Sequence, residues 1–156
     1  MRRARAEDLD AIHQIMADPE TMRYWSTPPH QDRGETETWL ESMVAPTSEY
    51  SDEFVLEHDG EVIGKLGAWR LPEIGFYLRR DLWGRGFASE ALREFIGYIA
   101  ARGASHLTAD VDPLNTASLA LLEAMGFRET GRAVATFVIG ERVCDSVYLR
   151  VDLQGP

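Results

Sequence analysis

Apolar residues recur every three or four positions through residues 6–17, where Leu9, Ile12, Ile15 and Met16 form one stripe behind the acidic Glu7 and Asp8, so a first amphipathic helix is expected. Pro19 follows its end. A second stripe, Trp39, Leu40, Met43 and Val44, predicts a helix over 35–44, and the turn-forming Ser26-Thr-Pro-Pro-His30 separates the two. From residue 54 the pattern changes to that of strands, over 54–58 and 62–69, flanking Asp59-Gly60, the dipeptide typical of a two-residue hairpin. Leu71-Pro72 reverses the chain again into a third strand, Glu73–Leu78. Helical spacing returns with Ala88, Ala91, Leu92, Phe95, Ile96 and Ile99, and Gly103 ends that helix. Residues 106–112 alternate as a half-buried strand does, and Pro113 stops them. Asn115 or Thr116 caps a helix over 117–125, which Gly126 terminates; strands over 132–139 and 143–151, joined at Gly140-Glu141, complete the chain.

This order predicts an α/β (α+β) fold: a central mixed, mostly antiparallel twisted sheet flanked by about four helices. Only the 73–78 and 106–112 strands need a helical crossover and so run parallel. Residues 1–156 read as a single domain, with no repeat, low-complexity tract or linker to divide them.

Composition narrows the function. Acidic residues outnumber basic ones 26 to 16, for a formal charge of −10, which disfavours nucleic acid as a partner because its backbone must be neutralised by Lys and Arg. The same excess attracts cationic small molecules or basic peptides. No apolar run is long enough to cross a membrane, and Met-Arg-Arg-Ala-Arg5 is not followed by the apolar core of a signal peptide, so a cytoplasmic protein is expected. A lone cysteine, Cys144, excludes an intramolecular disulfide, and four scattered histidines offer no metal-ligand spacing.

The chemistry is carried by one stretch, Glu73 to Leu92, in which a strand runs through Gly84-Arg85-Gly86 straight into a helix. Glycines allow a ligand close to the backbone, and the first N–H groups of a helix have no intrahelical partner, so strand, turn and helix start make a cradle for phosphate or pyrophosphate. Geometry alone also favours glycine between strand and helix, and Gly84-x-Gly86-x-x-Ser89 approaches a dinucleotide fingerprint with Asp110 near the place of its ribose-binding acid. Placement argues against a dinucleotide fold: hairpin strands precede the turn, and too little chain follows to supply the remaining parallel strands.

This order of elements, with Trp83-Gly-Arg-Gly-Phe-Ala88 and with Asn115-Thr-Ala-Ser118 followed by Met125-Gly-Phe127, resembles the GNAT acetyltransferase superfamily over nearly the whole chain. Arg5, Asp8, Asp18-Pro-Glu-Thr-Met-Arg-Tyr-Trp25 and Glu73-Ile-Gly-Phe76 are similar to its Rim-type branch of ribosomal-protein and small-amine N-acetyltransferases. In the superfamily pattern, Gly86 and Ala88 take the small positions, and Trp83 stands where Gln or Arg is commoner. The resemblance implies acetyl-CoA as cosubstrate; no metal is expected, because the scattered histidines and lone cysteine offer no site for one. Its pyrophosphate would lie on the amides of Gly84, Arg85, Gly86, Phe87 and Ala88, and its pantetheine would pair with the strand around Phe76 and Leu78. The Leu78 N–H would meet the acetyl carbonyl, where a donor stabilises the developing oxyanion. Asn115 would bind the arm, and Ser118 would donate to the departing sulfur. Many relatives carry a tyrosine for that purpose where this chain has Leu122. Homodimers are usual among similar proteins.

The acceptor is then a primary amine, on a small molecule or at a protein N-terminus, and it must attack in its neutral form. A lysine-like amine costs roughly 4–5 kcal/mol to deprotonate at pH 7, an α-amine only about 1.4 kcal/mol, so a strong base is optional for the latter. Glu73, at the start of the central strand, is the first candidate base, followed by Asp110 and Asp112; a solvated strand-start acid and loop-holding acids are their structural alternatives. Tyr24 and Trp25, between the first two helices, read either as core packing or, with Glu73 and Asp110, as a substrate wall. A non-catalytic CoA- or acetyl-CoA-binding sensor of the same fold is the alternative function that the missing tyrosine leaves open.

Overall fold

The structure, a computed structural model, describes residues 1–153. The first apolar stripe forms α1 (Leu9–Met16), entered through a 3-10 turn at Ala6–Asp8. The second forms α2 (Arg33–Val44), which starts two residues before the expected 35–44 because Asp32 caps it, the carboxylate accepting from the Glu35 N–H. Thr36, Leu40 and Met43 make its buried face, and Val44, expected on that face, is exposed at the helix end. Six strands follow the expected order: β1 (Asp52–His58), β2 (Glu61–Arg70), β3 (Glu73–Leu78), β4 (His106–Val111), β5 (Arg128–Ile139) and β6 (Arg142–Asp152). Helix α3 (Phe87–Ala101) connects β3 to β4, and α4 (Thr116–Ala124) connects β4 to β5.

All six strands lie in one sheet, ordered β1-β2-β3-β4-β6-β5, in which only β3 and β4 run parallel. Asp59 and Gly60 both take positive φ, 51° and 81°, as a twist-matched two-residue hairpin requires. Strand β5 begins at Arg128, four residues before the alternation predicts. It is an edge strand exposed along most of its length, so burial imposes no apolar pattern on its first residues.

The sheet is covered on both faces. Helices α3 and α4 pack on one, where Leu92, Phe95, Ile99, Leu107, Leu122, Phe127 and Leu149 form a core. On the other, α1 and α2 cover β1 to β3 through Ile12, Met16, Met22, Leu40, Val55, Val62 and Tyr77. Beyond β3 that second face carries exposed residues, Asp110 on β4 with Tyr148 and Arg150 on β6.

Candidate active site

Strands β3 and β4 touch at one end only. Glu73 pairs with Thr108, and the Thr108 N–H donates to the Pro72 carbonyl at 2.9 Å; no other pair joins the two strands. Each strand is committed to its other neighbour, β4 to β6 along six residue pairs and β3 to β2 up to Leu78. The register then decides which main-chain groups face the gap. The Arg79 N–H donates to the Ile63 carbonyl at 2.7 Å, so alternation gives Tyr77 to the β2 ladder and turns the N–H and C=O of Phe76 and Leu78 towards β4. There they meet no strand.

Past Leu78 a 3-10 turn at Arg80–Leu82 bends the chain, and the Trp83 indole N–H ties it back to the Leu78 carbonyl at 2.7 Å. Gly84 and Gly86 follow with φ of 70° and 87°, a left-handed backbone that suits only glycine without strain. A Cβ at either would have nothing within 4 Å, so the space before them is open. Gly86 is the N-cap of α3 and brings no capping side chain, which leaves the first amides of a 15-residue helix unpaired. This is a cradle suited to an anion.

A cavity of about 470 Å³ joins this cradle to the strand gap. Its walls are Phe76, Tyr77 and Leu78 from β3; Trp83, Gly84, Gly86, Phe87 and Ala88 from the turn and α3; Asn115 and Ser118 from α4; and Glu20, Thr21, Arg23, Tyr24 and Trp25 from the segment after α1. Most residues singled out in the sequence are thus neighbours in space. Asn115 also caps α4, its side-chain oxygen accepting from the Ser118 N–H at 3.2 Å. Leu122 is wholly buried in the core. Trp25 belongs both to the wall and to the packing, edge-on to the Tyr77 ring at 5.0 Å and so close over Gly75 that a Cβ there would lie 3.2 Å from it. Behind it Lys65 and Glu53, both buried, form an ion pair, with the Lys65 ammonium 5.3 Å from the Trp25 ring and 5.9 Å from that of Trp39. Burial pulls the Lys65 ammonium below the usual lysine range, while Glu53 pulls the other way.

Four candidates do not line the cavity. The Arg85 guanidinium lies beside the cradle, over the Phe87 ring at 5.4 Å. Glu73 and Asp110 are at the joined end of β3 and β4, on the face opposite α3. Glu73 is exposed, yet partial loss of hydration and then the Asp110 carboxylate push its carboxyl above the ordinary glutamate range. Asp112, a candidate base by position, is otherwise engaged: one oxygen accepts from the Leu114 N–H and the other pairs with the Arg142 guanidinium, each at 2.8 Å. Arg142 did not stand out in the sequence, since no local pattern marks a contact made across 119 positions, such as that from Arg142 to Arg23, and Glu20 and Thr21 stood out only within the 18–25 resemblance, not as site residues.

Known proteins resemble the chain along most of its length. An uncharacterized N-acetyltransferase, p20, of Bacillus licheniformis is 30% identical over 143 residues, covering 84% of this chain and 79% of its own. The structure of spermidine N-acetyltransferase from Vibrio cholerae, in complex with CoA and spermine, superposes with a TM-score of 0.84 over 97% of this chain and 94% of its own at 21% identity. A Salmonella typhimurium acetyl transferase that modifies the N-terminal serine of ribosomal protein L7/L12 gives a TM-score of 0.87 over 98% and 94% at 18% identity. The profile of the acetyltransferase (GNAT) domain matches residues 1–128, and the chain belongs to that family.

Proposed function

We propose that the chain transfers the acetyl group of acetyl-CoA directly to a primary amine, on a small molecule or at a peptide N-terminus. One observation carries this reading: the gap beside Phe76 and Leu78 opens into the same cavity as the unpaired amides at the start of α3. An arm with amide groups of its own suits an unpaired strand edge, and a pyrophosphate suits a helix start. Gly84, Gly86, Phe87 and Ala88 would hold the diphosphate with Arg85 beside them, and Asn115 and the Phe76–Leu78 edge would hold the arm. The bound cosubstrate supplies an activated acetyl group.

The remaining work falls to the chain. The Leu78 carbonyl is occupied by Trp83, and its N–H is turned into the gap, where it would donate to the acetyl oxygen as negative charge develops. Ser118 would donate to the sulfur as it leaves. Glu73 would take the proton from the acceptor's ammonium, its raised carboxyl being better matched to neutral pH than an ordinary glutamate. At about 3.3 Å per residue, Glu73 is roughly 10 Å from Phe76 and roughly 16 Å from Leu78. Its role therefore runs through water, and an α-amine needs it least. Amine acceptors are also what the similar structures suggest, one holding spermine and the other modifying a protein N-terminus.

The buried Leu122 favours a second reading, a CoA-binding sensor without turnover. Calorimetric titration with acetyl-CoA, and thiol release across polyamines, amino acids, aminoglycosides and N-terminal peptides with the products identified by mass spectrometry, separate the two. Binding with release on at least one amine is expected. Binding without release on any favours the sensor, and no binding ends both readings.

A further inference from the structure

Arg142 starts β6, yet it holds a segment that lines the cavity, the one following α1. Its guanidinium donates to the Arg23 carbonyl at 2.7 Å, pairs with Asp112 at 2.8 Å and lies 5.5 Å from the centre of the Tyr24 ring. The Asp112 side chain is only 3% exposed, and its second oxygen fixes the Leu114 N–H in the turn that leads to Asn115. One carboxylate thus joins the turn before α4 to the segment carrying Arg23, Tyr24 and Trp25, through a single planar fork. A lysine has no such fork: its three donors share one nitrogen and cannot reproduce the spread of two nitrogens that fixes both oxygen partners.

We propose that Arg142 and Asp112 are positioning residues that hold the Arg23–Trp25 wall against the cavity, and so set the affinity for the acceptor without setting that for the donor. The inference rests on the transferase reading. The couple touches neither the glycine cradle nor the Phe76–Leu78 edge; it holds the Arg23–Tyr24 part of the wall, next to the Trp25 that packs on Tyr77. Misplacing such a wall by an ångström is enough to disturb a reacting pair.

The test uses the full chain with R142Q, R142K and the double variant D112N/R142Q. The double variant removes the carboxylate that R142Q alone would leave buried and unpaired, while its Asn side-chain oxygen still accepts from Leu114. In R142Q and the double variant, acceptor KM should rise about ten- to hundredfold while the calorimetric Kd for acetyl-CoA stays within about twofold, and R142K should recover part of the loss. Amide hydrogen exchange over residues 20–27 should quicken in the same variants, with α3 unchanged. Two results overturn the proposal: unaltered exchange over 20–27 in a folded variant, or an acceptor KM that stays put or rises only in step with the acetyl-CoA Kd. A wild type that binds acetyl-CoA but acetylates nothing sinks the transferase reading instead, and the exchange measurement still decides whether the couple holds the wall.

Discussion

Gly86 holds a left-handed backbone, φ 87°, with open space where a side chain would begin. Any other residue there pays about 1–2 kcal/mol in backbone strain, and a large one also fills the cradle. G86W should therefore fold with a melting temperature lower by roughly 2–8 °C and lose acetyl-CoA binding by calorimetry. A folded G86W of unchanged affinity would move the diphosphate elsewhere. Ser118 makes the opposite demand. If it donates only to the leaving sulfur, S118A lowers kcat and leaves the acetyl-CoA Kd alone, and full activity in S118A would remove it from that role. Glu73 is tested by pH. Its carboxyl is raised by lost hydration and by Asp110, and only the ionised form accepts a proton, so activity should climb with pH through the raised pKa. D110N takes away one of the two raising causes, so the acidic limb of kcat/KM should move to lower pH. E73Q should abolish that limb, and an acidic limb that stays where it is in both variants would assign it to another group.

Between β1, β2 and β3 the buried Glu53–Lys65 pair behind Trp25 makes a prediction about elements. Lys65 lies opposite Tyr77 on β3 and Val55 on β1, in the middle of the buried and otherwise apolar run Val62–Ala68. Removing one member leaves an unpaired buried charge, so K65M should lose roughly 3–5 kcal/mol of stability in urea unfolding. E53L/K65M, which leaves no charge, should recover most of it; a double variant as unstable as the single one would mean that the pair's shape, not its charge, matters there. The apolar alternation reveals such elements unevenly. Asp59-Gly60 fixes its hairpin because few dipeptides tolerate two positive φ angles, and the α3 stripe is legible because Ala91, Leu92, Phe95 and Ile99 are buried along one face. By contrast, the start of β5 is silent because an edge strand exposes both faces. The parting of β3 from β4 is silent too, since alternation reports burial and not which neighbour a strand bonds. In the site the cradle and Asn115 were readable from local turn and cap chemistry. The Arg142 contact, the wall at Glu20 and Thr21 and the loss of Asp112 to a salt bridge exist only once distant segments meet.

Over the whole molecule, a formal charge of −10 sits awkwardly with a polyanionic donor and well with a cationic acceptor. The conflict is resolved by range. Amides and a helix start act over a few ångströms within the cradle and are little screened, whereas the attraction of a net acidic surface acts over a Debye length, about 10 Å at 0.1 M salt. Donor and acceptor should therefore respond to salt in opposite senses. Raising ionic strength from about 0.05 to about 0.5 M screens the field that draws in a polyamine, so its KM should rise several-fold. Over the same range the acetyl-CoA KM should hold or fall slightly, because the repulsion it meets on approach is screened as well. Steady-state kinetics at the two salt concentrations, with one substrate saturating in turn, reads both values. If the two constants rise together, the donor is held by exposed cations and not by the backbone of Trp83 to Ala88; if the acceptor constant does not move, the acid excess is solvation and the acceptor meets it as an uncharged or singly charged amine.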